Sequence, residues 1–326
     1  MNLSGENIIL YKDPNIEINK TNEYKITGEK IVEMFENHKK TFSYYFSEID
    51  QYTYHDVYTI YKKVNAIWYH NNLINFTLIP KLNIVQQLAI EKCAYVQSVW
   101  GENYYHFLID EIPNMIKINN FDKDMPIICN YNNNYIKEIL DLFNFTNKII
   151  KPISDIVINI KECILTHMSK SGVPAKSELQ LIRNYMKQKN IIKFEPEELG
   201  IIIKRKTERT ILNFNKIVKH LENTNIKWIV FEELSFSETI KLFSKCKYIL
   251  AAHGAGLTNM LFAPEGCEII ELIPSSDPNE CYHHLATSLN HNYNCIVIED
   301  TGKNNGKHMN VKLEYLDKII SWNNGS

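Results

Sequence analysis

A histidine and two glycines follow an apolar run in the segment YILAAHGAGLTNMLFAPEGCEIIELIP, residues 248–274. The pattern predicts a strand, a turn, a short helix and a second strand. Such a turn leaves backbone N–H groups free at the carboxyl end of a strand, where they suit an anion. Glycine lets the backbone approach a phosphate and permits φ > 0, so Gly254 and Gly256 are candidate phosphate-binding residues. His253 could donate to the phosphate or to a sugar oxygen. The alternative is that both glycines only allow a helix to pack closely on a strand.

A basic cluster, KRKTER, follows the apolar run GIII at residues 204–209. Lys204, Arg205 and Lys206 end the predicted strand, and Arg209 lies just beyond it. Since carboxyl ends of parallel strands share one edge of a sheet, we expect these side chains to reach the same edge as the glycine turn. Arginine's planar fork suits bidentate phosphate binding. Two anion-binding features at one edge favour a phosphate site over a solvated charged face.

A histidine and a carboxylate lie four residues apart in NYYHFLIDEIP, residues 103–113. On a helix that begins near Asn103, His106 and Asp110 share a face and can form a hydrogen bond. A carboxylate that orients an imidazole is a known arrangement for a general base. The alternative is a capped or core-packed histidine. Pro113 is expected to kink or end the helix.

Strands alternate with helices throughout the second half of the chain, which predicts a parallel sheet covered on both faces. The predicted strands are 200–206, 226–231, 248–252, 267–273 and 293–299. With 326 residues the chain exceeds the usual size of one domain. We predict domains of residues 1–195 and 196–326, divided where periodicity is lost near Pro196. The last amphipathic segment, VKLEYLDKIISW, could pack back on the first domain.

Composition excludes several classes of protein. The net charge of −2 provides no basic field for nucleic acid. No segment has the pattern of a signal peptide or the roughly 18 apolar residues of a membrane span. Seven scattered cysteines without a C-x-x-C pair favour a reducing compartment. These features predict a cytoplasmic protein. Asp122 and Asp124 form a D-x-D pair, for which a solvated turn is the favoured interpretation.

The motif R-x-x-x-R-x-I-x-N at Arg205–Asn213 and the HGAGL-to-ELIP segment resemble glycosyltransferase family 61. NYYHFLIDEIP is similar to that family's N-Y-x-H-x-x-x-D/E-x-x-P element. The resemblance covers roughly residues 95–289. It implies an α/β fold class, with two Rossmann-like domains in a GT-B arrangement around an interdomain cleft. It also implies inverting transfer from a UDP-sugar to a hydroxyl of a glycan or glycoconjugate. Phe214 stands where the family often has an acidic residue.

The same resemblance assigns His106 and Asp110 to catalysis. It assigns the donor to Arg205, Arg209, His253, Gly254, Ala255, Gly256, Leu257, Asn259 and Glu271. Arginines and helix N–H groups can neutralise a diphosphate alone, so we predict that neither a metal nor a cofactor is required. Two alternatives remain: a nucleotide-sugar-binding module without turnover, and an NAD-dependent oxidoreductase. GAGLTN lacks the third glycine of the dinucleotide fingerprint and follows a third strand, which disfavours the latter.

Overall fold

The computed structural model describes residues 9–11, 58–69, 72–75, 86–96, 100–129, 131–151, 156–166 and 172–316. Within these residues the chain forms two compact units, and the division falls between Lys189 and Asn190. Each unit carries its own β-sheet with helices. This confirms the predicted α/β class.

The first unit contains a mixed sheet. Its described strands are β1 (Ile9–Tyr11), β2 (Tyr58–Tyr69), β3 (Asn72–Asn75), β4 (Gln86–Tyr95), β5 (Ile127–Ile128), β6 (Ile149–Ile150) and β7 (Ile156–Thr166). They lie in the order β1-β2-β7-β4-β5-β6, with β3 also paired to β2. Strands β7, β4, β5 and β6 run parallel to one another. Strand β2 runs antiparallel to its neighbours. The sheet therefore has a parallel half and an antiparallel half.

Three contiguous helical segments follow β4 and form one helix, α1. They are Tyr104–His106, the π-helical Phe107–Glu111 and the α-helical Ile112–Phe121. Pro113 lies near the start of the last segment and the helix continues past it to Phe121, so an end at this proline is wrong, while the alternative, a kink, stays a prediction. The π-helical segment just before it absorbs the change in hydrogen bonding. Helices α2 (Asn134–Phe143) and α3 (Lys176–Gln188) complete the unit.

Helix α1 is buried along most of its length, including polar residues. The ammonium group of Lys117 lies 2.8 Å from Oε1 of Glu178 on α3, and both side chains are almost fully buried. A buried charge is tolerated only when it is paired in this way. This ion pair fixes the packing of α1 against α3, and α1 carries the predicted catalytic pair.

The second unit contains a fully parallel sheet. Its strands are β8 (Gly200–Lys204), β9 (Ile226–Val230), β10 (Tyr248–Ala252), β11 (Glu268–Pro274) and β12 (Asn292–Ile298). All five predicted strands are confirmed to within a few residues. They lie in the order β12-β11-β10-β8-β9. From β8 the chain moves outward to β9 and then returns past β8 to β10, so the order reverses between β8 and β10. Ligands of open parallel sheets bind at such a switch point.

Helices cover both faces of this second sheet. Helix α4 (Phe214–His220) shares a core with Met309, Val311 and Leu316 of the C-terminal segment on one face. Helices α5 (Phe236–Phe243) and α6 (Cys281–Ser288) contact the 3₁₀ helix Ala255–Phe262. The predicted capping box of α5 is confirmed, since Ser235 and Glu238 bond each other's backbone N–H.

Half of the last predicted helix, residues 317–322, lies outside the described residues. The described start of that segment, at Val311 and Leu316, packs in the core of the second unit. Among the helices of the described residues, none combines the length and the apolar composition that a membrane span needs.

Candidate active site

Arg205 and the glycine turn meet at the switch point of the second sheet. Arg205 follows β8 and the turn follows β10, and these strands are hydrogen-bonded neighbours in which Ile203 pairs with Ala251. Nη1 of Arg205 lies 3.4 Å from the carbonyl oxygen of His253, and its Nε donates to the carbonyl of Glu208 at 2.7 Å. The predicted proximity of this arginine to the turn is confirmed.

Gly254 is required by both its backbone and its surroundings. Its φ is +153°, and a Cβ at this position would lie 1.7 Å from Nη1 of Arg205. Gly256 differs, because its φ is not positive. A Cβ at Gly256 would lie 3.1 Å from Cγ2 of Ile203. The expectation of a positive φ at Gly256 is therefore wrong. Close packing explains Gly256, whereas close approach of a cationic side chain explains Gly254.

The turn presents backbone rather than side chains. Ala255 is exposed and Gly256 is half-buried at the start of the 3₁₀ helix, where N–H groups have no intrahelical acceptor. The N–H of Leu257 already donates to the carbonyl of Gly254 at 2.9 Å. The side chains of Leu257 and Asn259 are fully buried, and Asn259 donates to the carbonyl of Gly256 at 2.9 Å. The predicted donor-binding residues Leu257 and Asn259 therefore stabilise the turn from its buried side.

Arg209 adds a second cation in a strained conformation. Its φ is +59°, which is uncommon for a residue with a side chain. Its Nε is buried without a hydrogen-bond partner in the described residues. Burial, and then the positive charge of Arg209, lower the pKa of Arg205. The two guanidinium groups repel each other, and neither forms an ion pair within the described part of the chain, so a bound anion would relieve this repulsion.

The two lysines of the basic cluster do not join this site. Nζ of Lys204 lies 5.2 Å and 5.4 Å from the ring centroids of Phe214 and Trp228. Lys206 forms an exposed ion pair with Glu233 at 2.9 Å. Both lysines lie at the carboxyl end of β8, at the same edge as the glycine turn, as predicted, but their side chains contact other residues. Side chains alternate between the faces of a strand, so Lys204 and Arg205 point to opposite sides.

A buried hydrogen-bond chain lies behind the turn. Nδ1 of His253 lies 2.5 Å from Oε1 of Glu271, and the hydroxyl of Tyr293 donates to Oε2 of Glu271 at 2.7 Å. Glu271 is fully buried, so this predicted donor-binding residue reaches a ligand only through His253. The ring of Tyr282 contacts that of His253 edge-on, with centroids 5.1 Å apart. With 19 tyrosines in the chain, sequence reasoning had no signal to select Tyr282 or Tyr293.

The histidine and carboxylate of the first unit form the predicted pair. Nδ1 of His106 lies 2.7 Å from Oδ2 of Asp110. The side chain of Asp110 is 2% exposed and that of His106 is 22% exposed, so the carboxylate is enclosed while the imidazole reaches solvent. Asn114 donates to the backbone carbonyl of Asp110 at 2.8 Å. The pair lies at the π-helical segment, an irregularity that is frequent at functional sites.

Asp122 and Asp124 form a turn, as predicted. The backbone N–H of Asp124 donates to Oδ1 of Asp122 at 3.1 Å, and both residues are at least partly exposed. Across the described residues, no group of three or more histidine, cysteine or acidic side chains is placed to hold a metal ion.

The model of the glycosyltransferase 61 family matches residues 104–270, which is just over half of the chain. This chain belongs to the glycosyltransferase 61 family. Both the His106–Asp110 pair and the glycine turn lie inside the match. Glu271, Tyr282 and Tyr293 lie beyond it, so the buried hydrogen-bond chain behind His253 extends outside the matched residues.

Relatives with a named activity match shorter segments of this family 61 member. The EGF domain-specific O-linked N-acetylglucosamine transferase of Drosophila melanogaster is 31% identical over 102 residues, 29% of this chain and 19% of the relative. The enzyme of that name in Gallus gallus is 34% identical over 91 residues, 26% of this chain and 17% of the relative. Alpha-1,3-arabinosyltransferase XAT2 of Oryza sativa subsp. japonica is 35% identical over 78 residues, 23% of this chain and 13% of the relative. The matches span at most about a fifth of these relatives' length.

Proposed function

We propose that this chain is an inverting glycosyltransferase that moves a sugar from a UDP-sugar to a hydroxyl of a glycan or glycoconjugate. The observation that carries the proposal is the convergence of Arg205, Arg209 and the turn at Gly254 on the switch point of a parallel sheet. A diphosphate there would receive two guanidinium groups and the first N–H groups of the 3₁₀ helix. The names of the relatives support sugar transfer, and they span more than one kind of sugar.

In this proposal the second unit stabilises the leaving group. Negative charge grows on the diphosphate as the bond from the anomeric carbon to the phosphate oxygen breaks. Groups that are already oriented toward that charge stabilise the transition state without reorganisation. Arg205 is held by Glu208 and His253, so its orientation is fixed before the donor binds. Because the arginines and N–H groups supply the positive charge, the proposed reaction needs no divalent ion.

In the same proposal the first unit activates the acceptor. His106 accepts the proton of the acceptor hydroxyl, while the hydroxyl oxygen attacks the anomeric carbon from the side opposite the diphosphate. This single displacement inverts the anomeric configuration. Asp110 accepts a hydrogen bond from Nδ1–H of His106 and thereby leaves Nε2 as the atom that takes the proton. The GT-B arrangement implied by the resemblance is the geometry in which base and donor would meet.

The donor site is tested by nucleotide binding to Arg209→Ala. Loss of a charge-assisted contact costs about 1.5–3 kcal/mol, which corresponds to a UDP dissociation constant roughly 10- to 150-fold higher. Isothermal calorimetry measures this change. The melting temperature without ligand should stay near that of the unaltered protein, because Arg209 forms no ion pair in the described structure.

Lys206→Ala is the matched control for this substitution. It removes a cation from the same loop, but one that is exposed and paired with Glu233. It should leave the affinity for UDP within about twofold, as expected for a surface ion pair. Unchanged affinity in Arg209→Ala, or stabilisation of the unaltered protein by NAD and not by UDP, would overturn the proposal. Release of UDP from a UDP-sugar would distinguish an enzyme from a binding module.

A further inference from the structure

The loop after β12 bonds both to the residues that follow β11 and to the residues that follow β8, including Arg209. Strand β12 lies at the sheet edge, separated from β8 by β11 and β10. Yet residues 306–311 pair with residues 209–213, which follow β8. We call residues 300–311 the C-terminal brace. It lies beyond the region that matches the family, which ends at residue 270.

The first end of the brace is fixed to the end of β11. The carboxylate of Asp300 accepts from the backbone N–H of Ser276 at 2.9 Å, from its hydroxyl at 2.8 Å and from the N–H of Gly302 at 2.6 Å. Burial raises the pKa of Asp300, but these hydrogen bonds outweigh it and lower that pKa overall. Lys307 forms an ion pair with Asp277. Asp300 and Lys307 therefore hold the brace to the residues just after β11.

The second end of the brace bonds to the backbone around Arg209. The N–H of Arg209 donates to the carbonyl of Gly306 at 2.7 Å, and the N–H of Met309 donates to the carbonyl of Thr210 at 2.9 Å. The side chain of Asn213 donates to the carbonyl of Val311 at 2.7 Å and accepts its N–H at 2.9 Å. These bonds offset the cost of the left-handed conformation of Arg209, which is of order 1–3 kcal/mol.

His308 provides a further contact between the C-terminal brace and the residues around Arg209. Its Nδ1 lies 2.7 Å from Oγ1 of Thr210 and 3.3 Å from the N–H of Thr210. Because a backbone N–H can only donate, Nδ1 accepts and the ring proton resides on Nε2. The imidazole also lies against Gly306, where a Cβ would come within 2.6 Å of Nε2. His308 thus bonds to the residue after Arg209 and lies beside the glycine whose carbonyl accepts the Arg209 N–H.

We propose that His308 is a positioning residue for the donor site: through Thr210 it holds Arg209 in the conformation that directs its guanidinium to the diphosphate. The inference rests on the proposed function, since it assigns Arg209 to the donor. Sequence alone could not supply it, because 98 residues separate Thr210 from His308.

A double-mutant cycle on UDP affinity tests this role. His308→Ala should raise the UDP dissociation constant about 3- to 10-fold, the range for one lost hydrogen bond. His308→Asn keeps an acceptor near the position of Nδ1 and should restore the affinity to within about twofold. In the Arg209→Ala background, His308→Ala should change the affinity by less than about twofold, because its effect passes through Arg209.

The outcomes separate the inference from the proposed function. If Arg209→Ala alone leaves UDP affinity unchanged, the proposed function fails. If Arg209→Ala weakens binding but His308→Ala does not, or if the two losses multiply, the positioning role fails. Should His308→Ala not fold, Thr210→Val removes Oγ1 from the same contact and is carried through the same cycle. A loss in Thr210→Val that persists in full without Arg209 would also overturn the inference.

Discussion

At the scale of single residues, the pairing of a buried carboxylate with an imidazole recurs in both units. Asp110 orients His106 in the first unit, and Glu271 orients His253 in the second. In each pair Nδ1 faces the carboxylate, which leaves Nε2 as the ring atom that can meet a ligand. The spacing of four residues made the first pair predictable. The second pair joins two neighbouring strands, so only the structure reveals its geometry.

The first prediction at this scale concerns the proposed base. His106→Ala and Asp110→Asn should each lower the rate of sugar transfer by roughly 10²- to 10⁴-fold, the range for general-base catalysis. UDP affinity should remain near normal, because the proposed donor contacts belong to the other unit. The double variant should lose little more than either single one, since residues that act as one unit are not additive. Steady-state rates with a UDP-sugar and calorimetry with UDP provide both readouts.

Two results would contradict that prediction. Losses that multiply in the double variant would mean that His106 and Asp110 have separate roles. Near-normal turnover in the double variant would assign the pair to the packing of α1 and move the base to another residue.

A second prediction at this scale concerns Glu271. Glu271→Gln keeps the shape of the side chain but removes the negative charge that His253 and Tyr293 contact. Nε2 of His253 can donate to a phosphate only from the positive ring that carries both protons, which the Glu271 carboxylate stabilises, so transfer should fall about 10-fold or more. Glu268→Gln is the matched control, because Glu268 lies on the same strand and contacts Asn292 instead. Equal activity in the two variants would contradict a role for Glu271.

At the scale of elements, the sequence predicted the second unit better than the first. Its strands are short apolar runs bounded by turn residues, and α5 begins with a capping box, so each local signal agrees with the fold. The first unit mixes parallel and antiparallel strands, and its central helix contains a π-helical segment. Neither feature has a local sequence signature. Pro113 in α1 predicted a kink or an end, because the sequence does not reveal the π-helical segment that directly precedes it.

The glycine turn is the element whose backbone can be tested directly. Gly254→Ala should displace the guanidinium of Arg205, because the new Cβ would lie 1.7 Å from Nη1. We expect loss of UDP affinity of at least about 10-fold, as for a lost charge-assisted contact. Gly266→Ala is the control, since Gly266 also has a positive φ of +78° but no atom lies within 4 Å of the added Cβ. Gly266→Ala therefore introduces backbone strain at a positive φ without a contact to Arg205.

Comparison of Gly254→Ala with Gly266→Ala distinguishes the effect of backbone strain on stability from the effect of the new Cβ on UDP binding. Both should lower the melting temperature, because alanine is disfavoured at positive φ. Only Gly254→Ala should weaken UDP binding in calorimetry. Equal UDP affinities in the two variants would remove the turn from the donor site.

At the scale of the whole molecule, the sequence indicated two α/β halves and one phosphate-binding edge. It could not indicate that the chain's last described residues close the core of the second unit. Met309, Val311 and Leu316 pack with α4 against β8, β10 and β11, although they follow β12 at the far edge. Contacts between segments so distant in sequence depend on the path of the chain, which composition and periodicity do not encode. The predicted cytoplasmic location stays a prediction.

The last prediction concerns the pH dependence of stability. Burial, followed by the charge of His284, lowers the pKa of His283 from 6.5 to about 4. Its ring packs against those of Tyr293 and His284, with centroids 5.0 Å and 5.7 Å away. Between pH 6.5 and 4 the unfolded chain binds a proton that the folded chain does not. The free energy of unfolding therefore falls as the pH drops through this range, by up to about 3 kcal/mol from this residue. Urea titrations at several pH values should show a shallower fall in His283→Gln than in His220→Gln, where the exposed histidine of α4 serves as the control. Identical pH profiles in the two variants would show that His283 is not the group responsible.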